Sequence, residues 1–277
     1  MKLLRSLFQF YVDASIHVAL AVLALALVTL RELTILYDWT LVGAVFFGTI
    51  TGYNFVKYAR IAGLYHRSLA KSLRSIQLFS FLSFALMLYC AWHLPWKIIG
   101  LAGVFGLLTG LYVLPVFLNR SLRNLAGLKL IVVSMVWAGV TVIVPAANME
   151  GSFSSDVWIL FIQRFLLILV LTLPFEIRDL PYDLPKLRTL PQVVGIRNTK
   201  WLGSIFLVIC AILEGFKDEL CINHALSLQL TLIVSAILLW MSSKKQSRYF
   251  SSFWVESIPI LYLIVFLFLD YYFATSC

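Results

Sequence analysis

Charge is scarce in this chain. Asp, Glu, Lys and Arg make up 13% of its 277 residues, against about 25% in ordinary soluble domains. Hydrophobic residues reach 61%, where about 45–50% is usual. That balance excludes a soluble fold, which would have too little polar surface to cover its apolar side chains, and a disordered chain, which needs polarity. Cysteine is equally thin. Cys90, Cys210, Cys221 and Cys277 are too dispersed for a metal-ligand cluster and form no disulfide framework. No dinucleotide glycine fingerprint, P-loop or serine-centred elbow is present, which removes support for soluble-cofactor chemistry. The net charge of +9 would suit a nucleic-acid partner in a soluble protein. In a bilayer the placement of Lys and Arg matters more than their sum, because cytoplasmic loops retain them, and no nucleic-acid partner is expected.

What the chain has in abundance is apolar runs. A helix crosses the hydrocarbon core with about 20 mainly apolar residues, and nine stretches qualify: 13–30, 39–56, 76–94, 97–117, 129–147, 157–175, 201–216, 225–242 and 254–272. The expected fold is all-α, one polytopic membrane domain over residues 1–277, with no extramembrane stretch long enough to fold alone. The run from Ser15 to Leu30 ends in Arg31-Glu32 without a small-residue cleavage site, which predicts a retained span and not a signal peptide. Over residues 1–12, Lys2 and Arg5 alternate with Leu3, Leu4, Leu7, Phe8 and Phe10, the pattern of an amphipathic interfacial helix.

Nine spans put successive connections on alternate sides. Eighteen of the 22 basic residues then fall on one side; Arg31, Lys97 and Lys217 fall on the other, and Arg164 lies within a span. This asymmetry predicts a cytoplasmic amino terminus and an exported carboxyl terminus in a bacterial inner membrane. The longest polar connections, 57–75 and 176–200, share the basic side, so chemistry is expected there. Trp and Tyr near the span ends form the expected interfacial belt.

One of those connections begins with an acidic group. Glu176, Asp179 and Asp183 are spaced three and four apart and would share a face if the sixth span continued as helix; Pro181 either opens a new turn or breaks the helix. Clustered carboxylates repel one another unless a cation binds, and Mg²⁺ uses such oxygens together with substrate phosphates. The alternative is a solvated interfacial loop in which the acids pair with Arg178, Lys186 and Arg188.

The run Glu176-Ile-Arg178-Asp179-x-x-x-Asp183, then Arg188-Thr189-Leu190-Pro191 and Gly195, resembles the second acidic motif of the UbiA-type intramembrane prenyltransferases. Tyr112-x-x-Pro115, Arg120 and Gly127-Leu128-Lys129 leading to Trp137 are similar to that family's Tyr-x-x-Pro turn with its basic residues. The resemblance runs from about Gly52 to Gly195 and agrees with nine helices. It implies a UbiA-like bundle and transfer of an isoprenoid group from a prenyl diphosphate to an aromatic or lipid acceptor at a cytoplasm-facing cavity. Glu176, Asp179 and Asp183 would hold Mg²⁺, while Asn54, Lys57, Arg60, Tyr112, Arg120, Lys129 and Arg178 would bind diphosphate or substrate. The family's first motif departs here. Its Asn aligns with Asn54, but Phe55, Tyr58 and Ala62 stand where three acids are usual. Lys57 and Arg60 offer direct phosphate contacts in partial compensation. The degenerate motif leaves a second expectation, a non-catalytic lipid-binding, transport or assembly protein on the same fold. Oligomeric state, acceptor and chain length are not legible.

Four further expectations concern single residues. Arg164 should point into the bundle, paired with a buried acid or helix carbonyls; Asp13 and His17, four apart, should pair with each other; Glu256 should serve an interfacial role; and Cys221 and Cys277, both on the exported side, are candidates for a disulfide.

Overall fold

The computed structural model describes residues 2–58, 70–113, 127–149, 151–183 and 187–272. Every regular element among them is helical: α1 (Lys2–Asp13), α2 (Ile16–Glu32), α3 (Trp39–Tyr58), α4 (Ala70–Trp92), α5 (Trp96–Val113), α6 (Leu128–Ala138), α7 (Val144–Ala146), α8 (Ser155–Asp179), α9 (Leu190–Leu213), α10 (Ile222–Met241) and α11 (Ile258–Tyr272). A π-helical turn, Gly139–Ile143, joins α6 to α7, and another, Phe250–Val255, precedes α11. Eight of the resulting rods are long and apolar enough to cross a membrane alone. A ninth among the described residues requires α1 and α2 to be taken together, a pair bent by 57°.

Burial orders the bundle. The rod Leu128–Ala146 is 61% buried and that of α8 is 56% buried, whereas those of α4 and α5 are 11% and 17% buried. The first two are therefore central, and α4 and α5 face lipid. Around this axis α6 packs on α8, α8 on α9, α10 on α11, and α2 on both α3 and α11. Small residues permit the tightest approach: at Gly139 an added Cβ would stand 2.0 Å from the Phe105 ring of α5. Trp39, Trp92, Trp96, Trp254 and Tyr271 are exposed at helix ends, as an interfacial belt requires.

The ends of the bundle sort as alternation demands. Asp13 pairs with Arg248 at 2.6 Å, and Gln246 donates to the Pro174 carbonyl at 3.0 Å, which brings the α1–α2 bend, the end of α8 and the loop after α10 to one end. At the other, Lys217 pairs with Glu32 and Glu214, and Asp156 accepts the backbone N–H groups of Asp218 and Glu219.

Two helices differ from their expected bounds. The seventh span begins at Leu190 and not Trp201, because a capping box between Thr189 and Gln192 and Pro191 in the first turn start a helix that polar Arg197, Asn198 and Lys200 conceal from a hydropathy reading. Gly195, at φ 80°, breaks it one turn in. Asp13 and His17 do not pair, since α1 ends between them. Asp13 takes Arg248, while His17 meets the Tyr11 hydroxyl at 2.7 Å and the Phe253 carbonyl at 3.0 Å.

Candidate functional site

A cavity of about 220 Å³ opens between α6, α8 and the start of the last span. Its wall is Tyr53 from α3; Leu130, Val133 and Trp137 from α6; Ile168, Leu171, Thr172 and Phe175 from α8; and Val255 and Pro259 from the last span. Lys129, Glu176, Asp179 and Glu256 also line it. From Ile168 to Asp179, α8 rises about 16 Å at its ordinary pitch, so one end of the cavity carries charge and the other is apolar and aromatic. In the aromatic part the Trp137 indole N–H donates to the Tyr53 hydroxyl at 2.7 Å, satisfying two polar atoms that the apolar wall could not.

The charges arrive already paired. Lys129, in the first turn of α6, sets its Nζ 2.8 Å from Oε1 of Glu176, whose side chain is 2% exposed. Arg178 clasps its neighbour Asp179 through Nε at 2.7 Å and a terminal nitrogen at 3.1 Å, and stacks on Phe175 at 5.2 Å. Three residues anticipated from sequence, Lys129, Glu176 and Asp179, therefore line one cavity, and Arg178 stands at its rim.

Asp183 does not join them. The α8 helix ends at Asp179, and the Tyr182 and Asp183 amides both fold back onto the Asp179 carbonyl at 2.8 and 2.9 Å. Asp183 follows the helix end in the turn at Pro181 and is not among the residues that line the cavity, so of the proposed Mg²⁺ set only Glu176 and Asp179 share it. Among the described residues no three His, Cys, Asp or Glu side chains converge at metal-binding spacing. With Lys129 in front of Glu176 and both oxygens of Asp179 on Arg178, the residues present do not fit a Mg²⁺ cage.

Asn54 is engaged away from the cavity wall. It is buried, accepts the Ser15 hydroxyl at 2.8 Å, and donates to the Ala14 carbonyl at 3.1 Å and to the Ser80 hydroxyl at 2.8 Å. The Tyr58 hydroxyl donates to the Asp13 carbonyl at 2.8 Å, and Lys57 Nζ lies 3.5 Å from the Val12 carbonyl. The last three carbonyls around the end of α1 are thus met by α3 side chains. A helix C-terminus leaves such groups unsatisfied and favours a nearby cation. Where the family pattern would place diphosphate ligands, this chain anchors its amino-terminal helix. Ser15, at φ 61°, makes the bend. Tyr112 is buried against Val132 and is not part of the cavity wall. Arg60 and Arg120 lie outside the described residues.

Sequence reading undervalued Glu256. Its carboxylate faces the cavity and makes no ion pair or hydrogen bond among the described residues. The signal was the one charged residue within the run Phe250–Leu269. Arg164 is 2% exposed and inside the bundle as expected, but its neighbours are the Tyr262 ring at 5.6 Å and the Thr29 hydroxyl at 3.4 Å and not an acid. Cys90 and Cys210 are free thiols; Cys221 is disulfide-bonded, and Cys277 lies outside the described residues.

No family model matches the sequence, and no curated protein matches it. Among solved structures, a digeranylgeranylglyceryl phosphate synthase described as acting in membranes is similar over 95% of this chain and 98% of that one, with a TM-score of 0.56 and 16% sequence identity. Together with the helical bundle above, this likeness gives the chain the fold of that synthase, in keeping with the resemblance to the UbiA-type prenyltransferases seen in the sequence.

Proposed function

We propose that the protein is an integral membrane prenyltransferase that takes a prenyl diphosphate into the cavity between α6, α8 and the last span. It passes the prenyl group to an aromatic or lipid acceptor. The observation that carries this reading is the joining of two cation-bearing ion pairs, Lys129–Glu176 and Arg178–Asp179, to a cavity whose remaining wall is apolar and aromatic. The cavity is smaller than the about 300–1,000 Å³ of drug-sized ligand sites. It therefore suits the reacting end of an isoprenoid, with the rest of the chain passing into lipid.

In the reaction the bond between C1 and the diphosphate oxygen breaks, the electron pair leaves on the diphosphate, and the acceptor's nucleophilic atom bonds to C1. Lys129 and Arg178 would exchange their carboxylates for the diphosphate and neutralise the charge that develops on it. Tyr53, Trp137 and Phe175 line the cavity and give the allylic cation an aromatic surrounding. No step requires a metal, so binding should not need one. The basic connections support a mouth on the cytoplasmic face.

The commitment of Asn54, Lys57 and Tyr58 to α1 favours a second reading, a lipid-binding or assembly protein that holds a phosphorylated isoprenoid without transferring it. The two readings separate in one experiment. Purified protein is mixed with geranyl, farnesyl or geranylgeranyl diphosphate, binding is followed by quenching of Trp137 against a Trp137→Phe control, and turnover is assayed with phenolic, quinol and glycerolipid acceptors. Binding with turnover supports the transferase; binding without turnover supports the second reading; no binding to folded protein overturns both.

A further inference from the structure

Resting on the transferase reading, we infer that Glu256 is a further catalytic residue, the group that takes the proton the acceptor loses. Prenyl transfer to an O–H or aromatic C–H leaves one proton over for each C1 bond formed, and the departing diphosphate is held by cations at the mouth. A base facing the apolar part of the cavity is needed. Three carboxylates line that cavity. Glu176 is held at 2.8 Å by Lys129, and Asp179 is chelated by Arg178 through two hydrogen bonds; an opposite charge at such range favours the ionised form and weakens the base. Glu256 lines the same cavity with no hydrogen bond or ion pair to its carboxylate among the described residues.

Its place is fixed from several directions. Glu256 follows the π-helical turn Phe250–Val255 and precedes α11, and π-turns inside helices are frequent at functional sites because they re-aim a side chain. The turn is fastened to α8 by Gln246, which donates to the Pro174 carbonyl at 3.0 Å and also meets the Ser251 hydroxyl. It is fastened to α2 by His17, whose Nε2 lies 3.0 Å from the Phe253 carbonyl, and to α1 by Phe8, whose ring meets Phe253 edge-on at 5.2 Å. Pro174 precedes Glu176 by two residues on α8, so the same contact that seats the π-turn sets Glu256 relative to the Lys129–Glu176 pair. In the step, the acceptor's nucleophilic atom bonds to C1 as the C1–oxygen bond breaks, its proton passes to a Glu256 carboxylate oxygen, and the diphosphate leaves with the electron pair. No oxidant or metal enters the balance.

The test compares wild-type protein with Glu256→Gln and Glu256→Asp. A general base is worth about 10²- to 10⁴-fold. Glu256→Gln is therefore expected to lose that much in kcat while keeping the KM for prenyl diphosphate, the Trp137 quench and the melting temperature, and Glu256→Asp is expected to recover part of the loss. A structural role would instead lower the melting temperature or raise KM, with no recovery by Asp. Wild-type turnover that Glu256→Gln retains overturns this inference and leaves the transferase reading standing. Wild-type protein that binds prenyl diphosphate without turnover, or does not bind it, overturns the transferase reading and this inference with it.

Discussion

Replacing Asn54 by Ala would leave the Ala14 carbonyl and the Ser15 hydroxyl buried without partners, each such group costing about 1–3 kcal/mol. Asn54→Ala should therefore lower the melting temperature in detergent while prenyl diphosphate affinity stays within about threefold, since an anchor and not a ligand has been removed; a larger loss of affinity at unchanged melting would return Asn54 to the site. The opposite pattern belongs to Lys129. Lys129→Met strands Glu176 in a buried position, which costs about 3 kcal/mol, and should abolish binding as well. The double variant Lys129→Met/Glu176→Gln should recover most of the stability and none of the binding, a separation that a melting curve and a Trp137 titration read directly. Both residues were visible in sequence as polar positions beside spans. Their partners in the folded chain were not: a side chain's type fixes what it can bind, but its partner is chosen by which helix end lies opposite.

At the scale of the element, α9 shows how local chemistry and hydropathy compete. Its first turns carry a capping box and a proline start, signals as definite as any in the chain, yet their polarity hid them behind the more apolar stretch from Trp201. Gly195, at φ 80° and ψ 160°, occupies a backbone region essentially reserved for glycine, so Gly195→Ala should cost about 1–3 kcal/mol, visible as a lower melting temperature although the added methyl meets open space. The acidic run shows the converse. Its three- and four-residue spacing put Glu176 and Asp179 on one face of α8 correctly, because both precede the helix end. Asp183 follows it, and helical periodicity says nothing about a residue beyond the last turn.

Over the whole molecule, two ends with different chemistry face the two sides of the membrane. If the mouth works through Lys129 and Arg178 without a metal, prenyl diphosphate should bind in EDTA within about twofold of its affinity in Mg²⁺; a dependence on Mg²⁺ of tenfold or more, about 1.4 kcal/mol, would show that carboxylates and not cations hold the diphosphate. At the opposite end Lys217 is buried, which by itself would lower its pKa, but Glu32 and Glu214 more than offset this and raise it above the ordinary 10.5. The stabilisation from a raised pKa is complete below the unfolded-state value and lost as pH rises through the folded one. The melting temperature should accordingly be insensitive to pH near neutrality and fall above pH 10.5, a fall that Lys217→Met should flatten.

Composition and periodicity alone determined the solvent, the class and a count of eight to nine spans, because a bilayer demands about 20 apolar residues per crossing whatever those residues later touch. The basic residues of the loops were equally legible, since charge placement is a property of the chain between spans. Only the tertiary structure decided which polar residues meet. It turned Asn54, Lys57 and Tyr58 toward α1, left Asp183 out of the cavity wall that Glu176 and Asp179 line, and brought Glu256, from the last span, to a cavity whose other charges come from α6 and α8. The meeting of residues 80 positions apart on the wall of one cavity, as with Glu176 and Glu256, follows from how helices pack side by side, and a one-dimensional pattern carries no term for that.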